Sequence, residues 1–124
     1  MNIVISDDYI VIQNERLPNE DCFFVYEKNE PYDFLYSFGR IGAGNGEFIA
    51  PKIIRGCSGN RLSVFDNAHS TIKQFELKDD KANFIAEVEI QKGIYPLQEI
   101  AYVNDSILMF RVTNNVSNQL FCYD

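Results

Sequence analysis

The chain contains few of the residues that most often build catalytic and metal sites. Its 124 residues include one histidine, His69, three cysteines and no tryptophan. A single imidazole excludes a three-histidine zinc site and makes a histidine-dependent catalytic triad hard to assemble. The cysteines, Cys22, Cys57 and Cys122, are an odd number without metal-ligand spacing, so at least one thiol stays free. We expect buried, reduced cysteines, no bound metal and no cofactor.

Positive charge and long apolar runs are also scarce. Eleven basic residues stand against 18 acidic ones, a net charge of −7, and no basic face for nucleic acid or anionic lipid stands out. No run approaches the roughly 18 apolar residues of a membrane helix. The N-terminal segment MNIVISDDYIVIQ has no basic region and is interrupted by Asp7 and Asp8, so it is not a signal peptide. We therefore expect a soluble chain with no membrane span and no nucleic-acid partner.

What the chain does contain is a series of short apolar runs rich in β-branched and aromatic residues. Some are continuous, as in Cys22–Tyr26, and a strand that is apolar on both sides must be covered on both faces. The one candidate helical turn, at 94–101, includes Pro96, so we expect strand or irregular structure there. The sequence predicts an all-β fold.

These runs repeat along the chain. Residues 8–12 superpose on 60–64 at an offset of 52, and one strand occurs three times, as CFFVYE, TIKQFE and QLFCYD. Four similar pairs stand 45 positions apart: Pro51 and Pro96, Asn60 and Asp105, Leu62 and Ile107, and Phe65 and Phe110. A period of about 45 to 52 residues with four short strands is typical of a β-propeller blade.

The repeat predicts a single partial β-propeller domain over residues 1–124. It holds about 2.75 four-stranded antiparallel blades, at about 1–40, 41–92 and 93–124. Because propellers close with typically four to eight blades, the end blades would expose apolar faces. We expect further blades or self-association, for example two chains in a ring of about six blades. The predicted strands are 2–5, 9–13, 22–27, 33–38, 52–55, 61–66, 71–77, 83–90, 97–103, 106–111 and 119–124.

A glycine-rich loop joins the first two blades and leads to Pro51. A phosphate-binding interpretation is disfavoured, because Glu47-Phe48 stands where a P-loop needs Lys-Ser/Thr. We expect the glycines to permit a tight crossover, Phe48 to pack between blades and Glu47 to bond the loop amides. The glycines are Gly42, Gly44 and Gly46.

Asp66, Asn67 and His69 follow the second strand of the second blade. Carboxylate, amide and imidazole could together bind a metal or act as acid and base. In this kind of repeat an aspartate more often holds the turn between strands through bonds to the backbone. We favour that structural role for Asp66 and expect its replacement by alanine to lower stability.

The segments GRIGAGNGEF, from Gly39, and SVFDNAHSTIKQF, from Ser63, resemble the repeat of six-bladed propellers of the NHL and TolB-like kind. They are especially similar to uncharacterised six-bladed propeller proteins common in Bacteroides. The resemblance implies a six-bladed ring and a location in the periplasm or at the cell surface. The chain departs from this pattern in its length, its lack of a signal peptide, and Asn14 and Arg111 in the column of Asp66.

Two classes of function remain open. The first is a non-catalytic binding module whose loops at one mouth of the propeller hold a protein, peptide or glycan. Its candidate contacts are the aromatic residues Tyr32, Tyr95 and Tyr102 together with His69. The second is a metal-dependent hydrolase of the propeller lactonase kind, with its metal in the channel of an assembled ring. The sequence favours the binding module.

Overall fold

The computed structural model describes residues 2–14, 20–42, 47–55, 57–66, 69, 71–89, 97–104, 107–113 and 118–123. For Asn2 and the last three strands it describes the backbone only. Eleven strands account for most of these residues, and the described part of the chain contains no helix. The strands are β1 Asn2–Ile5, β2 Tyr9–Gln13, β3 Asp21–Glu27, β4 Phe34–Arg40, β5 Pro51–Ile54, β6 Arg61–Asp66, β7 Thr71–Leu77, β8 Ala82–Glu89, β9 Leu97–Asn104, β10 Ile107–Thr113 and β11 Asn118–Tyr123.

The strands form three antiparallel sheets in chain order. Sheet I has the order β1-β2-β3-β4, sheet II has the order β5-β6-β7-β8, and sheet III has the order β11-β10-β9. The predicted all-β fold is confirmed, and the strand ends differ from the predicted ones by no more than two residues. Two four-stranded meanders followed by a third sheet are consistent with successive blades of a partial propeller.

Alternation along the strands gives each sheet two distinct faces. In β2, Tyr9, Val11 and Gln13 are buried, whereas Ile10 and Ile12 are only partly buried. Successive side chains of a strand point to opposite faces, so β2 contributes to both faces of sheet I. We call the face with Val11 the front face of sheet I, and the face with Ile10 its back face.

The core of the described region lies between the front face of sheet I and one face of sheet II. Val11 and Val25 of sheet I belong to the same buried cluster as Leu62, Val64 and Phe75 of sheet II. Because Leu62 and Val64 are the repeat equivalents of Ile10 and Ile12, the sheet II face in this core is its back face. Sheets I and II therefore pack front to back.

Phe48 fills the space between the two sheets, as the sequence predicts. Its side chain is fully buried. The ring centroid lies 5.6 Å from that of Phe23 in sheet I and 6.2 Å from that of Phe75 in sheet II. Phe38 completes the group, 5.2 Å from Phe75. Tilted and edge-on contacts at these distances are favourable for aromatic rings and add to the free energy of area burial.

A buried glutamine links the two sheets through hydrogen bonds. Gln13 Nε2 donates to the carbonyl of Pro51 at 2.9 Å, and Gln13 Oε1 accepts from the amide of Ile53 at 3.3 Å. Both backbone groups belong to β5, the first strand of sheet II. One side chain therefore satisfies a donor and an acceptor on the neighbouring sheet and sets the position of β5 against β2.

Two glycines near the crossover leave space for neighbouring side chains, and Gly39 also has a backbone conformation that favours glycine. Gly39 has φ +81°, and a Cβ on it would lie 2.5 Å from Phe23 Cδ2. Gly42 has no unusual φ, but the Glu47 carboxylate occupies the space that a side chain would need. A side chain at position 42 would therefore require the Glu47 carboxylate to shift. Gly44 and Gly46 lie outside the described residues.

Candidate functional site

The candidate site lies where the first strands of sheets I and II approach each other. The turn between β1 and β2 and the turn between β5 and β6 are at the same end of the sheets, which we call the turn end. The crossover from β4 to β5 and the turn from β6 to β7 lie at the opposite end. Repeat units packed side by side bring equivalent turns next to each other.

Hydrogen bonds join these two turns. The amide of Asp8 donates to Asn60 Oδ1 at 2.9 Å, and Asn60 Nδ2 donates to Asp8 Oδ2 at 2.7 Å. The amide of Asp7 donates to the carbonyl of Gly59 at 3.1 Å. Asp8 and Asn60 are the repeat-equivalent residues found in the sequence at an offset of 52. Equivalent turn residues of neighbouring sheets thus bond directly and hold this end of the site in place.

A pocket of about 300 Å³ lies beside these turns, at the β1 and β5 side of the sheets. One wall is apolar and comes from β1. The other wall comes from residues that flank the β5–β6 turn, and it carries two guanidinium groups. The lining residues are Ile3, Val4, Ile5, Ser6, Arg55, Cys57 and Arg61. None of these lining residues carries a carboxylate, although the chain has 18 acidic residues.

Arg61 lies beside an ion pair of sheet II. Arg61 stands opposite Glu76 in the β6–β7 register. Glu76 forms an ion pair with Lys78, Nζ to Oε1 2.5 Å, and this bond lowers the pKa of Glu76, with a smaller contribution from Arg61. The Glu76 carboxylate is thus paired mainly with Lys78. Both Arg55 and Arg61 are exposed, so their guanidinium groups can reach a ligand in the pocket.

Two further polar side chains, Ser6 and Cys57, line the pocket. The Ser6 hydroxyl accepts from the amide of Tyr9 at 3.0 Å and lies 3.1 Å from Asn60 Oδ1, so it is held by the turn network. Cys57 Sγ lies 3.5 Å from Ser63 Oγ and forms no disulfide bond. A nucleophile of this kind needs an adjacent base, and the described lining residues include no histidine and no carboxylate.

Asp66 holds the crossover at the opposite end. Its buried carboxylate accepts hydrogen bonds from the amides of Ile49 and Ala50, each at 3.1 Å. His69 Nδ1 lies 3.4 Å from Asp66 Oδ2, and the His69 amide donates to the Asp66 carbonyl. Asp66 therefore ties the segment before Pro51 to sheet II, in addition to its place at the β6–β7 turn.

The residues around the crossover act together with Asp66. Lys73 Nζ donates to the carbonyl of Glu47 at 2.8 Å and lies 4.7 Å above the centroid of the Phe48 ring. This ammonium group is mostly buried, so the hydrogen bond and the ring face compensate for its lost hydration. Glu47, Phe48, Pro51 and Asp66 thus contribute to the joint between sheets I and II.

Of the four predicted contact residues, the structure describes the side chains of only two, Tyr32 and His69. Tyr32 is half-exposed in the β3–β4 turn, with φ 62°, and does not line the pocket. His69 is at the opposite end, beside Asp66. Tyr95 lies outside the described residues, and Tyr102 lies in β9, of which only the backbone is described. Their role as ligand contacts stays a prediction.

The sequence contains only a weak signal that Arg55 and Arg61 belong to a binding site. The only local signal is that two arginines flank one tight turn in an acidic chain, on the two sides of residues 56–60. Their approach to Ile3 and Ile5 depends on the packing of sheet I against sheet II. Sequence analysis alone does not identify this pocket.

The described part of the structure contains no cluster of metal ligands and no membrane-spanning helix. Among the described residues, no group of three or more histidine, cysteine or acidic side chains could hold a metal ion. Neither Cys22 nor Cys57 forms a disulfide bond, and burial raises the pKa of the Cys22 thiol to about 12. Within the same residues, no helix has the length and apolar character needed to cross a membrane.

Comparison with known proteins adds no assignment. No family model matches the chain, and no curated protein matches it.

Proposed function

We propose that this chain is a non-catalytic binding module of the propeller kind, which holds a ligand bearing a carboxylate, such as an acidic peptide segment. The pocket with Arg55 and Arg61 on one wall and β1 on the other is the observation that supports this proposal. Guanidinium groups bind carboxylates through charge-assisted, often bidentate hydrogen bonds. The isoleucines of β1 provide an apolar surface for the rest of the ligand.

The net charge of the protein does not prevent this interaction. A chain of net charge −7 repels an acidic ligand at long range. At physiological ionic strength the Debye length is about 8 Å, so distant charges are largely screened. The two guanidinium groups that line the pocket act within that distance. Local charge therefore favours the ligand, and the overall charge limits binding elsewhere on the surface.

Titration of a labelled peptide tests the proposal. The probe is a fluorescein-labelled hexaglutamate peptide, compared with a labelled hexaglutamine peptide in fluorescence anisotropy. We expect hexaglutamate alone to bind, and we expect Arg55→Gln and Arg61→Gln each to weaken binding by about tenfold. A rise in salt concentration should weaken binding further.

The matched control is Arg40→Gln, which removes an exposed arginine at the end of β4, away from the pocket. This variant should bind hexaglutamate within about twofold of the parent chain. Failure of hexaglutamate to bind, or equal losses in all three variants, would contradict a site at Arg55 and Arg61.

A further inference from the structure

The two isoleucines of the apolar pocket wall can be compared with their equivalents in sheet II. Ile3 pairs with Ile12 in sheet I, and Ile53 pairs with Val64 in sheet II. Ile12 and Val64 are repeat equivalents, so Ile3 and Ile53 hold the same position in the two sheets. Ile53 is 4% exposed, whereas Ile3 is 47% exposed. A neighbouring sheet covers this position in sheet II, so the ligand site is defined by the wall residues further along β1.

Ile5 holds a position that stays open beside a packed sheet. Two positions after Ile3 and Ile53 stand Ile5 and Arg55. Ile5 is 62% exposed, and Arg55 is exposed although the back face of sheet II packs against sheet I. Exposure at this position therefore persists when a neighbouring sheet is present. The Ile5 side chain and the Arg55 guanidinium line the same pocket and are both open to a ligand.

The pocket brings its charged wall and its apolar wall together within a small volume. Its volume of about 300 Å³ lies at the lower end of the range for ligand sites. Arg55 and Arg61 line one wall, and Val4 and Ile5 line the other. A bound group reaches both walls only if its carboxylate and its apolar part lie close together. The pocket therefore suits the end of a ligand and not a run of several residues.

The C-terminal residue of a peptide meets this requirement, and an internal acidic residue does not. Successive side chains of an extended peptide point in opposite directions. The carboxylate of an internal glutamate and the side chain of its aliphatic neighbour therefore point apart. A C-terminal isoleucine, leucine or valine carries its carboxylate and its aliphatic side chain on one carbon atom. Both groups can then enter one small pocket together.

The charges around the pocket favour a ligand with a single carboxylate. Asp7 and Asp8 follow the lining residue Ser6 directly and are exposed. Glu76 stands opposite Arg61 in the β6–β7 register. Carboxylates of a ligand that extend past the two arginines approach these acidic side chains, and like charges repel. A ligand with one negative charge binds the arginines without that repulsion.

We propose that the pocket recognises one carboxylate and an aliphatic branch held on the same carbon, the chemistry of a peptide C-terminus that ends in isoleucine, leucine or valine and of a free branched-chain acid. This inference rests on the proposed function, because it assigns the carboxylate to the same two arginines. The guanidinium groups of Arg55 and Arg61 bind the carboxylate. Val4 and Ile5 contact the aliphatic branch.

Fluorescence anisotropy with labelled peptides tests the proposal. The probe is fluorescein-labelled tetraglycyl-isoleucine with a free C-terminal carboxylate. Amidation of that carboxylate should weaken binding by at least about tenfold, because the charge is lost. Replacement of the terminal isoleucine by glycine should weaken it by at least about fivefold, because the aliphatic contact is lost. Unlabelled N-acetylisoleucine distinguishes the two sources: equal competition with the unlabelled peptide indicates a free acid, and weaker competition indicates a peptide end.

Substitution of Ile5 assigns the aliphatic contact. Ile5→Ser should reduce the preference for terminal isoleucine over terminal glycine to within about twofold, while amidation should still weaken binding. The matched control is Ile49→Ser, which removes an exposed isoleucine at the crossover, outside the pocket. This variant should keep the full preference for isoleucine. Circular dichroism and urea unfolding verify that both variants are folded.

The outcomes separate this inference from the proposed function. If hexaglutamate binds and amidation of the isoleucine peptide has no effect, this inference is overturned and the proposed function stands. Equal binding of the peptides that end in isoleucine and glycine would overturn it in the same way. A folded Ile5→Ser variant that keeps the full preference for isoleucine would also overturn it. If neither hexaglutamate nor the isoleucine peptide binds, both proposals fail.

Discussion

Sheets I and II have the same strand order and equivalent register, yet the same positions differ in exposure. Ile53 is buried by the front face of sheet I, while Ile3 has no such neighbour within the described chain. In repeat proteins each unit buries its surface mainly against the next unit. The difference between the two isoleucines is therefore a property of the neighbouring sheet and not of the strand that carries them.

A second difference concerns the residue at the C-terminal end of the second strand of each sheet. In sheet II this residue is Asp66, which is buried and accepts two amide hydrogen bonds from the crossover. In sheet I the corresponding residue is Asn14, which is exposed. The crossover before Pro51 joins sheet I to sheet II and bonds to Asp66 at the sheet II position.

Replacement of Asp66 should produce the largest loss of stability. Asp66→Ala removes the acceptor for two amides, and we expect the free energy of unfolding to fall by about 4 kcal/mol. Urea unfolding followed by circular dichroism measures this loss. Asn14→Ala, at the equivalent exposed position, should cost less than about 1 kcal/mol. Similar losses in both variants would show that the crossover does not depend on Asp66.

Truncation of the equivalent isoleucines should give the next largest effect. Ile53→Ala removes buried methyl and methylene groups from the inter-sheet core and should cost about 3 kcal/mol. Ile3→Ala should cost about 1 kcal/mol or less, because its side chain is already half-exposed. Urea unfolding tests this comparison. A larger loss for Ile3→Ala would contradict the exposure difference between the two sheets.

Substitution of Gln13 should give the smallest of the three effects. Gln13→Ala leaves one donor and one acceptor of β5 without their partner, and we expect a loss of about 2 kcal/mol. Gln13→Glu keeps the shape but cannot donate to the Pro51 carbonyl when ionised, so it should also be destabilising. Thermal unfolding at neutral pH measures both variants. A fully stable Gln13→Glu variant would show that the bond to Pro51 contributes little.

Local patterns were sufficient for most of the fold. Turn residues and short apolar runs located all eleven strands, and the repeat divided them correctly into sheets of four, four and three. Phe48, predicted to pack between blades, lies in the buried cluster between sheets I and II. These predictions succeeded because strand and turn preferences act over a few residues.

Other features could not be predicted in this way. The bond from Gln13 to β5 joins residues about 40 positions apart, and the pocket combines residues of β1 with residues around the β5–β6 turn. Such contacts depend on how two sheets approach each other, which single-strand patterns do not specify.

The amino-acid sequence by itself determined the strands, their antiparallel order and the repeat, because backbone preference and side-chain alternation are local. Only the tertiary structure decided which apolar face is covered, because burial requires a second sheet at packing distance. It also decided that Arg55 and Arg61 share a pocket with β1. The open back face of sheet I and the pocket beside it both result from the relative position of the sheets.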